Sequence, residues 1–295
     1  MLVGHRPGDS IPGGLRAGWI RDRHPGVTVI ETQDDLPEAP EPWAERTLDL
    51  LGGRRPDLAF TSEDYGEAWA AALGARHEMI DRARERFPVS GAELRADLSA
   101  HWDMLTPPAR AHFARRVAVV GAESTGTSSL AEELGRHYAT SWVPEYGRRY
   151  WEGRRYTAEQ ERWDTDEFVR IARAQQAWED DLARVANRVL VCDTDALATH
   201  VWHRRFNADY SSRVEAIADS RSYDLYLVTE PDFPFVQDGT REGESIRDEM
   251  HGWFVDVLER KARPFVSVGG SPAERLRTAI AAVEQVLVFP VLELG

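Results

Sequence analysis

Two glycines and two hydroxyl residues, spaced between a strand and a helix, form the most informative chemical pattern in this chain. Residues 117–130 read VAVVGAESTGTSSL, in which four residues separate the glycines. Glycines at this spacing let backbone N–H groups surround phosphate oxygens at the positive end of the following helix. The alternative is an ordinary glycine-containing turn of an α/β protein. The phosphate-binding interpretation predicts that ATP contacts Gly121, Glu123, Ser124, Thr125, Gly126, Thr127, Ser128 and Ser129.

One position departs from the phosphate-loop pattern, which has lysine where this chain has Thr127. Ser128 keeps the hydroxyl that would contact Mg²⁺. Lys261 is the only lysine among the 295 residues, so the chain strongly favours arginine. Loss of one charge-stabilising donor typically costs ~3–4 kcal/mol in the transition state. We therefore expect ATP binding to tolerate the change better than catalysis does.

Acidic residues follow two predicted strands downstream of the loop. Glu145 lies in VPEYGRRY, where an acidic residue can orient or deprotonate an acceptor hydroxyl. Tyr146 and Arg148 beside it are predicted substrate contacts. Asp193 and Asp195 end the apolar run RVLVCDTD, a position at which a carboxylate commonly completes Mg²⁺ coordination. Asp193 is the predicted metal ligand, and Asp195 serves the metal or the substrate. A surface glutamate after a strand and an apolar run ending in aspartate are the simpler alternatives.

Arginines and a helix start supply further candidates. Residues 232–254 predict a loop and helix that close over the phosphates, with Arg241 and Arg247 as catalytic residues. In the N-terminal part, PVSGAELRAD places Ser90 at a helix start before Arg95, which is compatible with a second triphosphate site. Exposed arginines on a polar loop and a capped helix are the alternatives.

Composition limits the class of protein. With 36 basic and 50 acidic residues, the formal net charge is −14, so we expect neither a nucleic-acid nor a membrane partner. The single cysteine, Cys192, excludes a disulfide framework and favours a reducing compartment; its apolar surroundings predict a buried side chain rather than a nucleophile. A cytoplasmic protein is expected, and a homo-oligomer is compatible with the sequence.

Apolar runs that alternate with amphipathic segments predict an α/β fold. Residues 117–289 should form a phosphate-loop domain with a parallel sheet, whose longest helix spans about 159–186. The adjacent prolines in LTPPARAHFARR predict a linker over 105–116. Residues 1–104 show shorter strands (MLV, VTVI, DLAF) between helices and predict an incomplete Rossmann-like domain.

Together these segments resemble the NadR-type family of bifunctional nicotinamide-nucleotide adenylyltransferases and ribosylnicotinamide kinases. GAESTG, VPEYGRRY, DTDALATH and DGTR resemble the kinase domain, while TSEDYGE, PVSGAELR and WDMLTPPARAHFARR resemble the end of the adenylyltransferase domain and its connection. The resemblance implies phosphorylation of nicotinamide riboside to the mononucleotide with ATP and Mg²⁺, and then adenylyl transfer to form NAD.

The adenylyltransferase half of this resemblance is incomplete. The family's N-terminal GxFxPxHxGH-type motif is not in the sequence, and Ala92 stands where the family has a threonine. We expect an N-terminally truncated chain without adenylyl transfer, unless an upstream start restores the motif. Three functions remain open: a slow nucleoside kinase, a catalytically impaired nucleotide-binding or regulatory protein of the same fold, and a generic ATPase.

Overall fold

The structure is a computed structural model that describes residues 1–158, 162–235 and 244–293. The chain divides into two compact units. Met1–Thr106 and the residues from Phe289 onward form the first, and Pro107–Val288 form the second. No helix among the described residues is long and apolar enough to cross a membrane.

The first unit alternates short strands and helices. They are β1 (Leu2–His5), α1 (Gly13–Arg23), β2 (Ile30–Gln33), α2 (Pro40–Leu50), β3 (Leu58–Thr61), α3 (Gly66–Leu73), β4 (Arg76–Met79) and α4 (Gly91–Ala96).

The strands of the first unit form two separate parallel pairs, β1 with β2 and β3 with β4. The sequence predicts an incomplete Rossmann-like domain, and the four strands described here do not join into one sheet. In each pair the strands are consecutive in the chain, and each strand is only four residues long. The first strand of each pair therefore pairs with the next strand in the chain, to which a helix connects it. Strand β4 was not predicted, because its charged sequence RHEM contains no apolar run.

The segment predicted as a linker contains regular structure. Helix α5 spans Pro107–Phe113, and strand β5 begins at Arg115. Pro107 and Pro108 occupy the first turn of α5, where the missing N–H groups would have no partner inside the helix anyway. The two prolines therefore begin a helix here instead of interrupting structure.

The second unit is an α/β fold built on a five-stranded parallel sheet in the order β6-β7-β5-β8-β9. Its elements are β5 (Arg115–Val120), α6 (Thr127–His137), β6 (Trp142–Val143), α7 (Tyr146–Arg154), α8 (Thr165–Ala183), β7 (Val189–Asp193), α9 (Ala196–Asn207), α10 (Ser212–Asp219), β8 (Leu225–Thr229), α11 (Arg247–Arg260), β9 (Phe265–Val268) and α12 (Pro272–Val286).

The core of the second unit explains why its strands are apolar throughout. All residues of β7 and β8 are buried, as are the last four of β5. Strands covered by helices on both faces carry continuous apolar runs rather than alternating ones. The predicted parallel α/β arrangement is confirmed for this part of the chain.

The long helix predicted over 159–186 is shorter in the structure. Helix α8 begins at Thr165, and α7 ends at Arg154. Asp164 caps α8: its Oδ1 accepts from the backbone N–H of Glu167 at 2.8 Å, and a Glu167 carboxylate oxygen accepts from the N–H of Asp164 at 3.1 Å. This capping box fixes where α8 starts, and continuous amphipathicity alone does not reveal it.

Candidate active site at the carboxyl edge of the sheet

The loop between β5 and α6 has the backbone conformation that its glycines predict. Gly126 has φ of 85°, in the left-handed region that residues with a side chain rarely adopt. A Cβ on Gly121 would lie 2.7 Å from the Thr125 hydroxyl oxygen, and the Thr229 hydroxyl oxygen would lie closer still. Both positions of the motif therefore require glycine, one for conformation and the other for space.

Two buried threonines hold this loop to the sheet. The Thr125 hydroxyl donates to the carbonyl of Ala122 at 2.7 Å and lies 2.7 Å from the hydroxyl of Thr229, the last residue of β8. The Thr229 hydroxyl also contacts the carbonyl of Val120 at 3.3 Å. The side chain of Thr125, predicted as a nucleotide contact, is thus engaged within the protein. Thr229 was not predicted; the signal was a polar residue ending the apolar run LYLVT.

Asp193 provides a buried carboxylate beside the start of α6. It is the last residue of β7 and only 2% exposed. Burial raises its pKa to about 6, while interactions with the hydroxyls of Ser128 and Thr127 lower it. Among the described residues, its Oδ1 has no hydrogen-bond partner. The structure therefore brings Asp193 together with Ser128, as the sequence predicts.

These oxygens fit the requirements of Mg²⁺. A hard cation prefers oxygen ligands, and Mg²⁺ in nucleotide sites is typically held by one or two carboxylates together with phosphate oxygens and water. A buried carboxylate oxygen that has no partner in the part of the chain described here, close to a serine hydroxyl, is such a donor set. The described residues contain no cluster of three or more acidic, histidine or cysteine side chains that could hold a metal ion. An ion here would need ligands from the nucleotide.

Glu145 lies at the adjacent strand end. Its strand β6 pairs with β7 so that Val143 is opposite Cys192, which brings the residues following each strand close together. The Arg148 Nε is 3.6 Å from the Glu145 carboxylate, whose side chain is 22% exposed. Burial first, and then the charge of Asp193, raise the pKa of Glu145 to about 7, with a smaller upward effect from Glu123.

A glutamine that was not predicted connects the two acidic positions. Gln175 of α8 is 1% exposed, accepts from the backbone N–H of Tyr146 at 2.9 Å, and donates to the carbonyl of Thr194 at 3.4 Å. Thr194 has φ of 65°, an uncommon conformation for threonine. Gln175 thereby ties the residue after Glu145 to the residue after Asp193. In the sequence it is one glutamine of a polar helix, with no distinguishing pattern.

The predicted catalytic arginines have different outcomes. Arg241 lies outside the described residues. Arg247, the first residue of α11, is 8% exposed and donates to the carbonyls of Phe233 at 3.1 Å and Ser124 at 3.2 Å. Its guanidinium therefore contacts the backbone of the phosphate loop. The sequence prediction that it closes over phosphate is not what its hydrogen bonds show.

Arg275 of α12 reaches the same loop and was not predicted. It is 4% exposed, and its guanidinium donates to the carbonyls of Thr125 at 2.9 Å, Glu230 at 2.8 Å and Gly270 at 2.8 Å. It also forms an ion pair with Asp232. An arginine within a terminal amphipathic helix gives no sequence signal of a contact 150 residues away.

Asp195 is a structural residue, which corrects its prediction as a metal or substrate contact. It is 1% exposed and caps α9, where its Oδ1 accepts from the N–H of Ala198 at 2.8 Å. Its Oδ2 accepts from the Tyr226 hydroxyl at 2.8 Å. Both carboxylate oxygens are thus engaged within the protein. Asp193 and Asp195 come at the end of the same apolar run, but Oδ1 of Asp193 has no hydrogen-bond partner among the described residues.

Ser90 likewise has a local role. Its hydroxyl accepts from the backbone N–H of Glu93 at 3.0 Å, and the Glu93 carboxylate accepts from the N–H of Ser90 at 2.6 Å. This capping box begins the six-residue helix α4, near whose end Arg95 lies. The capped helix that the sequence left open as the alternative accounts for Ser90.

Two other predicted substrate contacts, Tyr146 and Arg148, lie in the first turn of α7, directly after Glu145. The Tyr146 ring packs edge-on against Trp178, with centroids 5.1 Å apart. Arg148 pairs with Glu145, and its charge lowers the pKa values of both Glu145 and Asp193. The structure therefore brings together Glu145, Tyr146, Arg148 and Asp193 at one edge of the sheet.

Known proteins show the same combination of sequence and fold. The trifunctional NAD biosynthesis/regulator protein NadR of Escherichia coli K12 is 28% identical over 243 residues, which cover 81% of this chain and 59% of that protein. The NadR of Salmonella typhimurium LT2 is 27% identical with the same coverage. The chain thus spans about 59% of the length of these curated relatives.

Solved structures agree on the fold. A crystal structure of a NadR protein in complex with NR superimposes with a TM-score of 0.73 at 21% identity, covering 100% of this chain and 89% of that one. A NadR protein in complex with NAD and AMP-PNP gives the same values. The similarity to NadR proteins expected from the motifs is confirmed.

A family model assigns the second unit. The AAA_28 model, an AAA domain, matches residues 116–275. This range is more than half of the 295 residues and includes the loop, Glu145, Asp193 and both loop-contacting arginines. The chain therefore belongs to the AAA_28 family of AAA domains.

Proposed function

We propose that the second unit is an ATP-dependent nucleoside kinase that phosphorylates nicotinamide riboside. The observation that carries this proposal is the placement of Glu145 and Asp193 on adjacent strand ends. Asp193 also interacts with the first turn of the helix that follows the phosphate loop. One carboxylate thus lies where it can serve the nucleotide, and the other where it can serve an acceptor.

The nucleotide would bind through the loop backbone. Residues 121–126 precede the N-terminus of α6, where N–H groups and the helix dipole favour phosphate. Ser128 and Asp193 would hold Mg²⁺, which neutralises phosphate charge when bound. Thr127 supplies a hydroxyl that also interacts with Asp193, but it supplies no charge.

The acceptor hydroxyl would be activated by Glu145. The oxygen of the acceptor hydroxyl attacks the γ-phosphorus of ATP, and the bond from that phosphorus to the β,γ-bridging oxygen breaks, which releases ADP. The hydroxyl proton passes to the Glu145 carboxylate. A carboxylate with a pKa of about 7 is well matched to accept a proton near neutral pH. Positioning and charge stabilisation supply most of the catalysis in such reactions.

The choice of nicotinamide riboside rests on similarity and charge. The curated relatives are NAD biosynthesis proteins, and one NadR structure contains NR. Glu123, Glu145 and Asp193 place three acidic groups around one site, which suits a substrate bearing a cationic ring. Tyr146 and Arg148 remain proposed contacts to this substrate.

A second candidate function is nucleotide binding without turnover. Thr127 in place of lysine favours it, because the charge that normally faces the β- and γ-phosphates is absent from the loop.

The test combines calorimetric titration of ATP and Mg²⁺ into the full chain with chromatographic detection of nicotinamide mononucleotide. ATP binding together with mononucleotide formation supports the kinase. Binding without transfer to any nucleoside supports the second function, whereas absence of ATP binding rejects both. ATP hydrolysis equal with and without nucleoside would indicate a generic ATPase.

A further inference from the structure

Two buried arginines donate hydrogen bonds to consecutive backbone carbonyls of the phosphate loop. Arg247 donates to the carbonyl of Ser124 at 3.2 Å, and Arg275 donates to the carbonyl of Thr125 at 2.9 Å. They come from different helices, α11 and α12. Two helices that follow the loop in sequence therefore each donate a hydrogen bond to its backbone.

The geometry of the peptide bond turns these contacts into a constraint on the opposite side of the loop. In a planar trans peptide, the C=O of one residue and the N–H of the next point in opposite directions. Fixing the carbonyls of Ser124 and Thr125 toward the arginines therefore fixes the N–H groups of Thr125 and Gly126 away from them. Neither of these two N–H groups donates a hydrogen bond to another residue in the described part of the chain.

The loop also needs such support, because one of its non-glycine residues has a strained backbone. Ser124 has φ of 57° and Gly126 has φ of 85°. A non-glycine residue in the left-handed region is uncommon and persists when its surroundings enforce it. Arg247 contacts the carbonyl of Ser124 itself, and Arg275 contacts the carbonyl of the next residue, Thr125.

Arg275 is itself held in a fixed orientation. It bonds to the carbonyls of Glu230 and Gly270, forms an ion pair with Asp232, and stacks 4.6 Å from the centroid of the Phe233 ring. A planar guanidinium with several donors can satisfy all these acceptors at once, and a lysine ammonium cannot reproduce that fork. Because Asp232 balances much of its charge, the role of Arg275 is geometric rather than that of a free cation.

We infer that Arg275, assisted by Arg247, is a positioning residue that aims the Thr125 and Gly126 N–H groups at a nucleotide phosphate. This inference rests on the proposed ATP site but concerns residues outside the sequence motif. Pre-oriented N–H donors bind an anion without the entropic penalty of ordering the loop at the moment of binding. A chain without the loop lysine depends more heavily on these backbone donors.

The experiment measures ATP affinity in the full chain by calorimetry, at a temperature at which every variant is folded by circular dichroism. Arg275→Gln should weaken ATP binding about 10-fold or more, since hydrogen bonds from a charged donor are the strong ones. The ATP affinity of Arg275→Lys should be close to that of Arg275→Gln, because lysine retains the positive charge but not the forked arrangement of guanidinium N–H donors. Arg277→Gln, at an exposed position on the same helix, should bind ATP like the wild type.

A second measurement separates positioning from general stability. Amide hydrogen exchange of peptides covering 121–129 should accelerate in Arg275→Gln, while exchange in α9 stays as in the wild type. If Arg275→Gln fails to fold, Arg247→Gln, which loses the Ser124 contact, should weaken ATP binding in the same direction.

The outcomes are distinguishable from failure of the proposed function. If the wild type binds ATP and Arg275→Gln binds it equally well, the positioning role is wrong while the ATP site stands. Full recovery of ATP affinity by Arg275→Lys would show that charge, and not geometry, is what Arg275 provides. If the wild type does not bind ATP, the proposed function itself fails.

Discussion

Glu145 and Asp193 face a common site from adjacent strand ends, and the charge of Asp193 helps raise the pKa of Glu145 to about 7. Burial is the larger cause of this shift, and Arg148 opposes it. Asp193, also buried, has a pKa of about 6. Buried carboxyl groups whose pKa values are raised toward neutrality are typical of acid–base sites.

The first prediction concerns pH. If Glu145 accepts the proton, kcat/KM should increase about 10-fold between pH 6 and pH 8, as a group with a pKa of about 7 becomes ionised. Glu145→Gln should lower turnover sharply and remove this increase. The measurement is a pH–rate profile for nicotinamide mononucleotide formation. A flat wild-type profile over this range would rule out Glu145 as the base.

The second prediction concerns stability. The pKa of Asp193 rises from an ordinary 3.8 to about 6 on folding, so the folded state holds its proton more tightly than the unfolded state. Stability is therefore lost as pH rises through this window and stays lower above it. Asp193→Asn should raise the free energy of unfolding at pH 8 by about 1–3 kcal/mol while turnover falls sharply.

Urea denaturation of wild type and Asp193→Asn at pH 8 and pH 4 tests this. The gain should be much smaller at pH 4, where the folded state keeps the proton and the unfolded state, with a pKa of 3.8, is about half protonated. Asp256→Asn, at an exposed position on α11, is the matched control and should change little. A variant that is less stable than wild type at pH 8 would mean that Asp193 is a net stabilising residue.

The third prediction addresses the loop. Gly126→Val should abolish ATP binding, because φ of 85° is strongly unfavourable for a β-branched residue. Gly26→Val, where an added Cβ meets no atom within 4 Å, should leave ATP binding unchanged. Calorimetry on folded protein decides the point. Undiminished ATP binding by Gly126→Val would remove the loop from the site.

Sequence patterns predicted those parts of the fold that depend on local periodicity. The parallel sheet of the second unit followed from continuous apolar runs such as 189–192, and the loop followed from two glycines at fixed spacing. The capping box at Asp164 and the helix starting at Pro107 were not predicted, since each depends on how one end of a helix satisfies its N–H groups.

Outside the phosphate loop, the site was predictable only at the carboxyl ends of strands. Glu145 and Asp193 could be placed because carboxyl ends of parallel strands meet at one edge of a sheet. The same reasoning placed Asp195 there, but the start of α9 and the Tyr226 hydroxyl engage its carboxylate. Gln175 and Arg275 act from helices through contacts distant in sequence, and side-chain direction at that range is set by packing that no local pattern encodes.

The most direct test of the kinase proposal is mononucleotide formation by wild type and Thr127→Lys side by side. Lysine at 127 would restore the charge that the loop lacks, so we expect slow formation by wild type and about 10-fold faster formation by Thr127→Lys, with Thr127→Met as an uncharged control. We expect both proteins to form product from nicotinamide riboside only when ATP is present, and we expect Asp193→Asn to reduce this product formation sharply. If neither protein makes nicotinamide mononucleotide while both bind ATP, the kinase proposal is contradicted and the chain is a nucleotide-binding protein without turnover.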